Sequence, residues 1–169
     1  TLIENEKEVI SIDPYTIEDQ ILISNTIRDL IKKDKKINFL VDKKNPFFDT
    51  MPDNSISLIN KNSIKDFEKK TKIKIEYQRF RANIYVTGEE AWSERELIGK
   101  TITINNINFI VTDEIPRCSA TNLKPGTSEI TINLPNLLKK TYDHINMGIF
   151  LIPQNNGNIF FGDEIKINA

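Results

Sequence analysis

The sequence predicts a mainly β, α+β fold: a closed or nearly closed β-barrel decorated by a few short helices. Three observations carry that prediction. From residue 55 onward, short runs rich in Ile, Val, Thr and Tyr recur at near-regular spacing with turn residues between them. Helical periodicity is confined to a few stretches. A length of 169 residues, with 38% hydrophobic and 28% charged residues, suits a folded domain with a real core.

In chain order, Glu8 to Ile12 reads as a strand closed by Asp13-Pro14. Ile21, Leu22, Ile27, Leu30 and Ile31 recur at helical spacing between Asp19 and Lys33, with Ser24 or Asn25 as candidate caps. Ile37 to Val41 reads as a strand, and the Asn45-Pro46 and Met51-Pro52 pairs make Lys43 to Asn54 a loop. Ser55 to Ile59 is a strand feeding a helix from Ser63 to Lys70, with Ile64 and Phe67 on one face. Alternation then predicts strands at Ile73 to Tyr77, Ile84 to Val86 and Ile102 to Ile104. Asn105-Asn106 is a hairpin turn, because Asn tolerates positive φ, and Phe109 to Val111 follows. Further strands are expected at Ile130 to Ile132, Met147 to Ile152, Ile159 to Phe161 and Glu164 to Asn168, with a helix near Pro135 to Tyr142.

Net charge is −1, so the charge balance calls for neither a nucleic acid nor a membrane surface. The basic run Lys32 to Lys36 reads as a solvated helix end. One cysteine cannot form an internal disulfide, and no apolar run is long enough for a membrane span, so a cytoplasmic location is expected.

That cysteine, Cys118, is the leading chemical candidate. Pro116 stops a strand before it, Arg117 adjoins it, and small or hydroxylic residues follow. A loop exposes the sulfur, and a neighbouring guanidinium favours thiolate, a soft metal ligand or sulfur carrier. The spacing alone fits a small packed residue at a strand end at least as well. A second candidate is Arg79 to Asn83: strand alternation would put Arg79, Arg81 and Asn83 on one face, able to hold a phosphate and the amide edges of a heterocycle. His144 is a lone histidine, better read as a cap or packed polar residue than as a catalyst. Without a second His or Cys, a structural zinc site and a Cys/His nucleophile pair are not expected. Trp92 reads as core, and no phosphate-binding glycine motif is present.

Several segments, taken in order, resemble the MOSC domain, named for the C-terminal domain of molybdenum cofactor sulfurases. They are Ser57-Leu58-Ile59-Asn60, Arg79 to Val86 with Gly88, Ala91-Trp92, Leu97-Ile98-Gly99, Arg117 to Asn122 with Pro125, His144 to Phe150, and Gly162-Asp163. The resemblance implies a MOSC-type barrel over 51–169. It makes 1–50 the latter part of an N-terminal β-rich segment, truncated relative to the family's longer members. The nearest subgroup resembles the mitochondrial amidoxime-reducing component, in which the residue at the position of Cys118 ligates molybdenum. By the same resemblance Arg81 and Asn83 contact the pterin or its phosphate. Arg117, Thr121 and Asn122 line the metal side, Asn146 closes the pocket, and Asn60 and Arg79 complete the cofactor-binding set. Lys124 stands where many relatives carry Asp.

Two functions follow from the resemblance. One is a molybdenum-cofactor (molybdopterin) oxidoreductase that reduces small N-hydroxylated or N-oxide substrates, drawing electrons from a separate flavin, haem or iron–sulfur protein. The other is a sulfur carrier that takes a persulfide on Cys118 from a cysteine desulfurase. Pyridoxal phosphate would belong to that partner and is not expected on this chain. A barrel that binds neither is the remaining alternative.

Overall fold

The computed structural model describes residues 1–4, 6–32, 34–41, 55–88 and 90–168. It divides into two compact units, Thr1–Asp49 and Thr50–Ala169. The expected loop from Lys43 to Asn54 lies outside the described residues.

In the first unit, strands β1 (Leu2–Glu4) and β2 (Lys7–Ile10) form an antiparallel hairpin, followed by helix α1 (Ile17–Ile31). The helix begins earlier than its apolar spacing suggests. Thr16 is the cap, its hydroxyl accepting from the Asp19 amide at 3.3 Å, so neither Ser24 nor Asn25 is needed. Ser24 instead sits mid-helix, donating to the Gln20 carbonyl at 2.6 Å and accepting from the Phe39 amide at 2.8 Å. That second bond holds the 37–41 segment without a strand ladder, so the expected strand there is absent.

The second unit is a six-stranded, strongly curled sheet, a half-barrel, in the order β4-β3-β7-β6-β5-β8. Its strands are β3 (Ile56–Asn60), β4 (Ile84–Val86), β5 (Thr101–Ile104), β6 (Ile107–Pro116), β7 (Asn146–Pro153) and β8 (Ile165–Asn168). Only β3 and β4 run parallel; the other described neighbours are antiparallel. Parallel pairing requires a crossover, and helix α2 (Lys61–Thr71) supplies it. Asn60 caps α2 through its side-chain oxygen, three residues before the expected start at Ser63. Helix α3 (Leu134–Tyr142) has Asn133 as cap and proline in its first turn, where a missing N–H costs little.

The sheet separates two cores. Leu58, Ile102, Ile104, Ile107, Phe109, Val111, Ile149 and Leu151 form one of them. Ile59, Ile64, Phe67, Phe80, Leu134, Leu138 and Met147 pack beneath the helices. Strict alternation would put Met147 with Ile149, yet they lie in different cores. The register between β6 and β7 shifts beside Gly148, which sits at φ 82°, and an extra residue in a ladder turns the next side chain over.

Three further expected strands, all in the second unit, are absent. After α2, the Ile75 amide is taken by the Glu68 carboxylate at 2.7 Å, which seats Ile75 in the helix-side core and ends the alternation. Around Ile130 there is an isolated bridge to Leu123, because the Thr131 amide caps the Asn122 carbonyl instead. At Ile159 to Phe161 the chain turns, Asp163 accepting from the Phe160 amide at 2.8 Å, and Phe161 is fully exposed. No described helix is long and apolar enough to cross a membrane.

Candidate functional site

The antiparallel pairing of β6 with β7, and of β7 with β3, gathers the end of β6, the start of β7 and the end of β3 at one end of the half-barrel. Pro116 is opposite Asn146, and the chain leaves β6 through Arg117 into Cys118. Cys118 is exposed, at the head of a 3-10 turn from Ser119 to Asn122. The Thr121 hydroxyl donates to the Cys118 carbonyl at 2.8 Å, and the Thr121 amide does so at 3.2 Å. These bonds fix the backbone that carries the sulfur.

Arg117 turns the other way. It is only 8% exposed. Its Nε donates to the Met147 carbonyl at 2.8 Å, Nη2 donates to the same carbonyl, and Nη1 donates to the Phe80 carbonyl at 3.1 Å. The guanidinium lies over the Phe80 ring at 5.5 Å. Among the described residues no carboxylate pairs with it, and burial pulls its pKa down to about 10 while the negative forms of Tyr85 and Cys118 oppose that shift. A buried cation neutralised by no acid leaves a fixed positive charge behind the cysteine. Gly148 makes room for it: a Cβ there would lie 3.3 Å from Arg117 Nη2 and 2.5 Å from the Leu58 carbonyl.

The expected Arg79, Arg81 and Asn83 face is not a strand face. Tyr77–Phe80 is a 3-10 turn, Arg81 follows at φ 51°, and β4 begins only at Ile84. A left-handed residue breaks the period-two alternation on which a shared face depends. Arg79 is buried and committed to Glu76 at 2.7 Å, the Asn122 carbonyl at 3.0 Å and the Thr131 hydroxyl at 2.7 Å. Arg81 is exposed and follows Phe80, whose carbonyl Arg117 holds, so the exposed guanidinium and the exposed cysteine flank one internal clamp. Asn83 is exposed and pairs with Ser57: its side-chain oxygen accepts from the Ser57 amide at 2.9 Å and its amide donates to the Ser57 carbonyl at 3.1 Å.

The other expected residues are placed as follows. Asn122 is buried, its side-chain oxygen accepting the Leu134 amide at 2.9 Å. Asn60 is fully buried and donates to the Glu90 carbonyl at 2.7 Å. Asn146 is half-buried, donating from its side chain to Glu114 and from its amide to His144 Nδ1 at 3.1 Å. A ring nitrogen that accepts is unprotonated, and burial, followed by Arg95, lowers the His144 pKa. The ring stacks on Tyr142 at 16° between planes and meets the edge of Trp92.

Residue types and spacing do not reveal two features here. Glu114 joins Arg95 to Asn146, and Arg95 holds its carboxyl below the usual range. Glu94 is 3% exposed and takes the Ser63 hydroxyl at 2.8 Å; burial pushes its carboxyl up against the opposing effect of that bond. Both depend on partners tens of residues away, and a charged run such as Ser93 to Glu96 carries no sign of which carboxylate turns inward.

The model of the MOSC domain matches residues 43–166. No curated protein matches the chain.

Proposed function

Because the chain belongs to the MOSC domain family, we propose that it binds molybdenum cofactor and reduces N-hydroxylated or N-oxide compounds, with Cys118 as the protein ligand of the metal. The observation that carries this reading is the pairing of an exposed cysteine with the buried, acid-free guanidinium of Arg117 behind it. The donor chemistry fits the group: thiolate is a soft ligand for a transition metal, and the exposed loop leaves the sulfur open to one. When bound, the cofactor would supply the two-electron reduction of an N–O bond, with electrons delivered by a separate protein.

The chain's own residues have three tasks in this scheme. Arg117 holds the Phe80 and Met147 carbonyls and so sets the stem of the Cys118 loop. Thr121 fixes the Cys118 carbonyl, and exposed Arg81 and Asn83 offer donors for a phosphate or a pterin edge. Asn122, Asn146, Asn60 and Arg79 act at one remove, since each side chain already holds backbone or a neighbouring side chain. They position the loops more than they touch a ligand.

One observation favours a second reading, in which Cys118 carries a persulfide for metal–sulfur cofactor assembly. Cys118, Ser119 and Ala120 are all exposed, so a sulfur there is open to a desulfurase. Protein purified from a molybdenum-replete host separates the two. Stoichiometric molybdenum that disappears in Cys118→Ser supports the reductase. Metal-free protein that takes labelled sulfur at Cys118 supports the carrier. A variant equal to wild type in both assays removes Cys118 from either role.

A further inference from the structure

The half-barrel does not close, and its opening is a cavity. The two edge strands, β4 and β8, both line one space of about 180 Å³, with Val86 on one side and Ile165 and Ile167 on the other. Leu58 and Leu97 add apolar wall. The 3-10 turn Ser93–Leu97 lies across the gap and brings Glu94 into the lining beside Asn60.

Glu94 is the unusual group. It is 97% buried by its 3% exposure, yet the ion pairs among the described residues all use other carboxylates. The Ser63 hydroxyl lies 2.8 Å from both carboxylate oxygens, and Asn60 and the Glu94 backbone also hydrogen-bond to them, so the acid is held by neutral donors and takes part in no ion pair among the described residues. That hydroxyl also accepts the Trp92 amide at 2.8 Å, which fixes its orientation. A buried carboxylate without a cation is costly, and a ligand that brings positive charge and N–H donors offsets the cost. The apolar walls set the rest of the ligand: a cavity of about 150 Å³ holds a benzene-sized molecule.

We propose that this cavity is a binding site for a small organic cation, a primary ammonium on an apolar body of about six carbons, with Glu94 as its counter-ion. It is separate from the Cys118 site and does not rest on the function proposed for it.

Cyclohexylammonium is the probe, and cyclohexanol is the neutral control of the same shape. Titration into the intact chain, followed by the methyl resonances of Leu58, Val86, Leu97 and Ile165, should show the cation binding about tenfold or more tightly than the alcohol. Glu94→Gln keeps an acceptor for Ser63 and should remove that preference. Leu97→Phe fills the cavity and should weaken both probes. A measurement on the wild type does not depend on any variant folding. Glu96 and Lys100 also line the space and Arg95 adjoins Glu94, but Glu94 is the buried acid, so cation affinity should fall on acidification as its carboxylate takes up a proton. Equal binding of cation and alcohol, an unchanged preference in Glu94→Gln, or a cation affinity indifferent to pH would overturn the proposal.

Discussion

The Cys118 end of the half-barrel and the cavity between its edge strands are built on the same device with opposite sign. Behind Cys118 sits Arg117, a buried cation whose partners are carbonyl oxygens. Beside the cavity sits Glu94, a buried acid whose strongest partner is a hydroxyl. Arg79 shows what the ordinary arrangement looks like: equally buried, it has the Glu76 carboxylate 2.7 Å away. Arg79 is a closed staple. Arg117 and Glu94 are each buried outside any ion pair among the described residues, which suits a place where an ion of the other sign arrives.

The largest test of this contrast is Arg117→Met. It strands the Met147 and Phe80 carbonyls in the helix-side core, so denaturant unfolding should show a loss of about 3–5 kcal/mol, since each orphaned acceptor costs about 1–3 kcal/mol and the packing over Phe80 changes too. Arg117→Lys sharpens the point. It keeps the charge but loses the fork that spans two carbonyls, so it should recover only part of the stability.

Gly148→Ala attacks the same end through the backbone. At φ 82°, with the Leu58 carbonyl 2.5 Å from the new Cβ, it should cost about 2–4 kcal/mol by the same measurement. A loss below about 0.5 kcal/mol would mean that the β6–β7 bulge relaxes freely and does not set the place of Arg117.

Glu94→Gln should act in the opposite direction. Its folded pKa is raised above the ordinary 4.5, so the native state holds the proton more tightly than the unfolded chain does. That contribution is fully present below pH 4.5 and is lost as pH rises through the folded value. The variant should therefore be more stable than wild type at neutral pH, and the gain should vanish on acidification. Equal stability across the whole range would show that Glu94 carries no uncompensated charge.

Cys118→Ser should change least, within about 0.5 kcal/mol, because the side chain is exposed and the Thr121 bond is to its backbone. Loss of bound metal or sulfur without loss of stability would separate its chemistry from its structural part.

The sequence made a good deal of this legible, and for local reasons. The Asn105-Asn106 hairpin is a turn signature, and Asn105 indeed has φ 54° between two strands in register. Ile64 and Phe67 lie one helical turn apart and both are buried. The Pro116-Arg117-Cys118 segment does end a strand and does expose the thiol. Where the reading failed, a distant partner overrode the local pattern. Ile73 to Tyr77 alternates like a strand, but Glu68 takes its backbone; Arg79 to Asn83 alternates too, but Asn122 and Thr131 draw Arg79 inward.

By itself, then, the sequence determined the mainly β class, the positions of β3 to β8 and their two main helices, the MOSC resemblance and the exposed cysteine. Those follow from side-chain periodicity, proline and turn chemistry, which act over a few residues. Tertiary structure alone decided that Arg117 faces inward, that Arg79 is buried while Arg81 and Asn83 are exposed, and that Glu94 is buried beside a cavity. Each is a matter of where a long charged side chain finds its partners. Apart from Glu76, three residues before Arg79, the partners named above lie 30 to 52 residues away for Arg117, Glu94 and Arg79, a separation that no local pattern encodes.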